Sequence, residues 1–182
     1  MKNETIEQYE EIVGACKDIF KKKTKDYGTA WRILRLPSIT DQIFIKAQRI
    51  RSIQEKGTQK IAENVESEFY GIINYCLIAL VQMQLTENDP SELPYDFVGP
   101  KYDEAAKTTL NLLANKNHDY GEAWRDMRIS SMTDIILMKL FRVKQIEDND
   151  GKTIISEGVD ANYQDIINYS VFCLIKLKEE EK

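Results

Sequence analysis

The chain repeats itself, and that constrains its fold more than any single motif. Residues 23–35 read KTKDYGTAWRILR and residues 116–128 read KNHDYGEAWRDMR, so both fit K-x-x-D-Y-G-x-A-W-R-x-x-R at an offset of 93 residues. Thr40-Asp41-x-Ile43-x-x-Lys46-x-x-Arg49 recurs as Thr133-Asp134-x-Ile136-x-x-Lys139-x-x-Arg142. Ile72-Ile73-Asn74-Tyr75 recurs as Ile166-Ile167-Asn168-Tyr169, now offset by 94. Three blocks in one order at a near-constant offset mark a tandem duplication. Whatever one half folds into, the other half should fold into as well.

Each copy reads as three helices. Ile6, Tyr9, Ile12, Val13, Cys16, Ile19 and Phe20 follow the three-and-four spacing of a helix face. That helix should end at Asp26-Tyr27-Gly28, where glycine can take the left-handed conformation. After Pro37, Ser38 or Thr40 can cap a second helix running to about Lys56, with Gly57 closing it. A third helix, about Val65 to Leu85, is apolar almost all round and should lie centrally. The second copy repeats the pattern at about Tyr102–Lys116, Thr133–Asp148 and Asp160–Leu177. This places a first repeat at residues 1–85, an acidic linker with three prolines at 86–100, and a second repeat at 101–182. A central helix with that much apolar surface needs more cover than its own two partners offer. The expected fold is therefore all-α: two three-helix units sharing one core as a pseudo-two-fold bundle.

Composition narrows the function classes. With 25 Lys+Arg against 30 Asp+Glu and a net charge of −5, the chain is no general nucleic-acid coat. The most apolar run, Phe69 to Leu85, carries Asn74, Gln82 and Gln84 and reads as a buried helix rather than a membrane span. Cys16, Cys76 and Cys173 are odd in number and lie in apolar surroundings, as expected of free core thiols in a reducing cytoplasm. The start, Met1-Lys2-Asn3-Glu4, leads into a helix pattern without a secretory signal.

There is no glycine-rich phosphate loop, no C-x-x-C and no H-E-x-x-H, and the single histidine is His118. What remains is the repeated motif together with basic and acidic side chains. In the motif (Asp26, Tyr27, Gly28 and Trp31; Asp119, Tyr120, Gly121 and Trp124) glycine can end a helix and tryptophan can fill a core. A turn does not by itself call for guanidinium groups at fixed spacing. Arg32, Arg35, Arg125 and Arg128 therefore read as candidate phosphate ligands, since arginine offers a planar fork of donors. Lys46 with Arg49, and Lys139 with Arg142, are three residues apart and share a helix side. The same residues could equally form a solvated basic face.

Glu10 and Glu11 match Asp103 and Glu104 under the offset. Asp165 lies in an otherwise apolar helix. A carboxylate there has to be paired, metal-bound or at a cleft edge. These five acids are the candidate Mg²⁺ ligands, because that cation takes oxygen donors.

The D-Y-G-x-A-W block, the later K-x-x-R helix and the N-Y helix resemble the family called nucleotide-modification-associated domain 1, in two copies. The resemblance implies a link to nucleotide metabolism. More distantly, the acids on flanking helices resemble the all-α, MazG-type nucleoside-triphosphate pyrophosphohydrolases, which hold Mg²⁺ with E-E-x-x-E and E-x-x-D motifs. Glu68-x-x-Gly71 and Asn162-x-x-Asp165 each keep one half of the second motif.

The expected ligand is a nucleotide or similar phosphorylated small molecule, with Mg²⁺-dependent cleavage between the α and β phosphates as its catalytic extension. The alternative is a non-catalytic helical protein that binds a ligand or partner. A homo-oligomer is compatible with either reading.

Overall fold

The structure, a computed structural model, describes residues 3–57 and 64–180, with the side chains of all of these except 3 and 117–120. It is helical throughout the regular segments. Helices α1 (Asn3–Tyr27), α2 (Leu36–Lys56) and α3 (Val65–Met83) form the first copy. Helices α4 (Tyr95–Tyr120), α5 (Ile129–Asp148) and α6 (Val159–Glu180) form the second. Between the first two helices of each copy lies a single 3₁₀ turn, Ala30–Ile33 or Ala123–Asp126. Among the described residues no helix is long and apolar enough to cross a membrane.

The motif glycines end α1 and α4. Gly28 and Gly121 have φ of +65° and +62°, and the Gly28 amide donates to the Thr24 carbonyl at 2.8 Å. A side chain at such a φ is strained, so glycine is the residue that lets the chain turn here. The 3₁₀ turn then tucks Trp31 or Trp124 inward, leaving each under a tenth exposed.

Two boundaries differ from the sequence reading. α2 and α5 begin after Arg35 and Arg128, which are extended, and neither start has a side-chain cap. Pro37, in the first turn of α2, already carries a helical φ and lacks one of the amides a cap would satisfy. Ser38 and Thr40 are therefore not needed as caps. The second difference is α4, which starts at Tyr95 and contains Pro100. Buried Val98, Tyr102, Ala105 and Ala106 carry its inward face straight past the proline, which lies exposed near the helix start.

α3 and α6 pack against each other at the centre, flanked by α2 and α5, which also meet. α1 lies chiefly against α6, and α4 chiefly against α3. Each copy's first helix thus covers the other copy's third helix. Buried polar pairs fix this exchange. The Tyr9 hydroxyl donates to Asn168 Oδ1 at 2.7 Å, and the Tyr102 hydroxyl donates to Asn74 Oδ1 at 2.7 Å. These two bonds are the same bond repeated about the pseudo-two-fold.

A second repeated set joins α2 to the other copy. The Thr40 hydroxyl lies 2.7 Å from Glu147 Oε1 and 2.6 Å from the Tyr163 hydroxyl, while Gln54 donates to Thr133 Oγ1 at 3.1 Å. Asp41–Lys144 and Asp134–Arg51 ion pairs flank the same axis at 2.8 and 3.5 Å. The repeated Thr-Asp dipeptide therefore joins the copies rather than capping a helix. Cys16, Cys76 and Cys173 are free and buried, and burial pushes all three thiols up, Cys16 to about 12.

Candidate functional site

The end of α1, the 3₁₀ turn and α3 enclose a cleft of about 600 Å³ in the first copy, with Lys46 of α2 on its wall. The family motif forms one side of it. Trp31 lines the cleft, and its buried indole N–H has no hydrogen-bond partner among the described residues. Tyr27 stands 58% exposed at the rim. Tyr75 also lines the cleft, with its ring centroid 5.9 Å from Lys46 Nζ. The floor includes Phe20, whose ring stacks on Tyr102 at 4.7 Å.

The cleft's charge is set by a buried carboxylate. Glu68 is 3% exposed and accepts from Arg49 at 2.6 Å and from Lys46 at 3.4 Å. A buried anion has to be paired, and two cations supply that. The longer contact leaves the Lys46 ammonium, itself partly exposed, directed toward the cleft as well. Its stem runs over Gly71, where an added Cβ would lie 3.0 Å from Lys46 Cδ and Cε. The missing side chain at Gly71 is what lets the lysine lie there.

The second copy uses equivalent positions differently. Asp165 stands where the first copy has Gly71, and its carboxylate meets Lys139 at 2.6 Å and Lys116 at 3.2 Å. Phe172 stands where the first copy has Ile78, and its ring stacks on Trp124 at 4.2 Å with 5° between the planes. Tyr169 meets the same phenylalanine edge-on at 6.3 Å.

The other candidate phosphate ligands are placed elsewhere. Arg32 donates to Gln82 Oε1 at 2.5 Å and to the carbonyls of Thr86, Asp89 and Pro90, pinning the segment between α3 and α4. Arg125 bonds Glu122, Glu179, Thr5 and Gln8 and lies 4.4 Å over the Trp124 ring. Both arginines are staples, with their donors spent on protein acceptors. Gln82 and Lys176 complete this symmetry by donating to the carbonyls of Arg32 and Leu34, and of Arg125 and Met127, at the ends of their respective 3₁₀ turns. Arg35, Arg128 and Arg142 are exposed and line no part of the first-copy cleft.

The five acids read as metal ligands are not brought together. Tyr9 and Tyr102 face inward, so Glu10, Glu11, Asp103 and Glu104 beside them face solvent. Glu11 pairs with Lys178 at 3.0 Å and Asp103 with Lys17 at 2.7 Å, while Asp165 is held by its two lysines. Among the described residues no three of His, Cys, Asp and Glu converge as a metal site. Among the described residues the five acids thus do not form one oxygen-donor set of the kind Mg²⁺ takes. Asp26 is exposed at the end of α1, and the side chains of His118, Asp119 and Tyr120 lie outside the described residues.

Lys23, the first residue of the repeated motif, lines the cleft and was not singled out by the sequence reading. Its place in K-x-x-D-Y-G was the available signal. Phe172 against Ile78 was also visible by aligning the third helices at the 94-residue offset.

A family model described as nucleotide modification associated domain 1 matches residues 23–83 and again residues 116–177. Each match begins at the motif lysine and runs to the end of the third helix or close to it. No curated protein and no solved structure matches the chain, so nothing adds to the likeness to MazG-type enzymes. With both halves matched, the chain belongs to the nucleotide modification associated domain 1 family, carrying two tandem copies of that domain.

Proposed function

We propose that the chain binds a nucleotide, or a similar phosphorylated small molecule, in the cleft of its first copy. The observation that carries this reading is one cleft lined by aromatic side chains and by lysine, with Tyr27 and Trp31 drawn from the repeated motif. Tyr27, Trp31 and Tyr75 offer faces for a planar base, and Lys46 offers an ammonium for phosphate. Base–aromatic stacking is worth about 1–3 kcal/mol and tolerates any base, and a lysine serves phosphate as a point charge. A cleft of about 600 Å³ suits a ligand of nucleotide size. The family's description points the same way.

Calorimetric titration with the four ribo- and four deoxyribonucleoside triphosphates, each with and without Mg²⁺, tests the proposal. At least one should bind, and Lys46→Ala should weaken that binding about tenfold or more, the usual worth of a charged hydrogen bond. Absence of binding across the panel contradicts the reading. Assaying the same mixtures for pyrophosphate separates a binding protein from a hydrolase. Release that depends on Mg²⁺ would favour the hydrolase.

A further inference from the structure

We infer that the second copy carries, in its own side chains, an image of the ligand that the first copy takes, and that this ligand is a nucleoside di- or triphosphate. The inference rests on reading the first cleft as the nucleotide site. Lys116 and Lys139 are the counterparts of Lys23 and Lys46 at the 93-residue offset. Asp165 places a carboxylate on both of them, at 3.2 and 2.6 Å. In the first copy that position is Gly71; the α3 carboxylate one turn earlier, Glu68, meets Lys46 at a longer 3.4 Å, and Lys23 borders the cleft beside it.

The aromatic frame follows the same rule. Trp124 and Tyr169 hold the Phe172 ring, one face-on and one edge-on. Trp31 and Tyr75 keep that frame in the first copy, but Ile78 replaces the ring. The first copy thus keeps both halves of a receptor, and the second supplies both halves of a ligand: an anion on a lysine pair and a flat ring on an indole.

The spacing of those halves identifies the ligand class. Asp165 and Phe172 lie two turns apart on one face of α6, about 10 Å along its axis. A nucleoside monophosphate carries its anionic group directly on the sugar and covers that span only when fully stretched. A second or third phosphate reaches it. The base then lies against Trp31 and Tyr75, and the outer phosphate lies between the ammonium groups of Lys23 and Lys46. The second copy, with its own lysines and indole engaged, takes no ligand at the equivalent place, so one molecule binds per chain.

The test is calorimetry on the full chain with adenine, guanine, cytosine and uracil nucleotides at the mono-, di- and triphosphate level. For any base that binds, the expected result is one equivalent per chain, with the monophosphate at least about tenfold weaker than the di- or triphosphate. Gly71→Asp should lower affinity about a hundredfold, because its carboxylate would take the lysine pair and repel phosphate. The added side chain meets only the flexible end of Lys46, so circular dichroism should show an intact fold. Lys23→Gln, at an exposed position, should weaken binding about tenfold whether or not Gly71→Asp folds. Two equivalents per chain, equal affinity for the monophosphate, or unchanged binding in Lys23→Gln would overturn the inference while leaving the cleft as a nucleotide site. No binding by wild type to any nucleotide overturns both.

Discussion

Expressed apart, residues 1–91 and 92–182 are expected to lose cooperative folding, and to recover it as a one-to-one complex when mixed. Each half alone would strip α3 or α6 of its central partner and remove the α1 or α4 that covers it from the other copy. α3 is buried at Phe69, Ile72, Ile73, Cys76 and Leu77 and at Ile78 to Val81, leaving little surface that faces water by design. Uncovering several such side chains at about 1.5–3 kcal/mol each costs on the order of 10 kcal/mol. That equals the whole stability of an ordinary domain. Tyr9 or Tyr102 would also lose its acceptor across the divide. Analytical ultracentrifugation with thermal melts checks this. A half that stays monomeric and melts as sharply as the parent would show two independent domains.

The next largest effect is expected from Asn74→Leu. Asn74 accepts from the Tyr102 hydroxyl and donates to the Cys16 carbonyl at 3.1 Å, and Tyr102 is fully buried. Leucine of similar size would leave that phenol unpaired in an apolar interior, a loss of about 2–3 kcal/mol. For a chain of this length the melting temperature should fall by roughly 5–10 °C. Adding Tyr102→Phe should return part of the loss, because removing both partners strands neither. The pseudo-equivalent Asn168→Leu and Tyr9→Phe should behave alike. Additive losses in the Asn74 and Tyr102 pair would mean that the bond does not couple the copies.

Much of the architecture was legible because the duplication is written plainly. Two copies, three helices each, glycine-ended first helices and an apolar central helix all follow from spacing. The start of α4 was not, since Pro100 reads as a stop unless Val98 and Tyr102 are seen to share one buried face. Spacing also shows which side of a helix a residue takes, and not what meets it there. Arg32, Arg125 and the repeated Thr-Asp were read as site or cap, and their partners lie on segments distant in sequence. The acids beside Tyr9 and Tyr102 drew attention as ligands, while the repeated tyrosines themselves join the copies. The Gly71–Asp165 difference was visible from the start. Its meaning needed the two lysines brought to it in space.

The site's location can be read from the two tryptophans. Each indole N–H is buried, gives one resonance, and can be assigned by Trp31→Phe and Trp124→Phe. In a ¹⁵N-correlated titration with the tightest nucleoside triphosphate of the panel, the Trp31 indole signal should move to saturation while that of Trp124 stays in place. Movement of Trp124 instead, or of both to the same degree, would contradict a nucleotide site in the first copy.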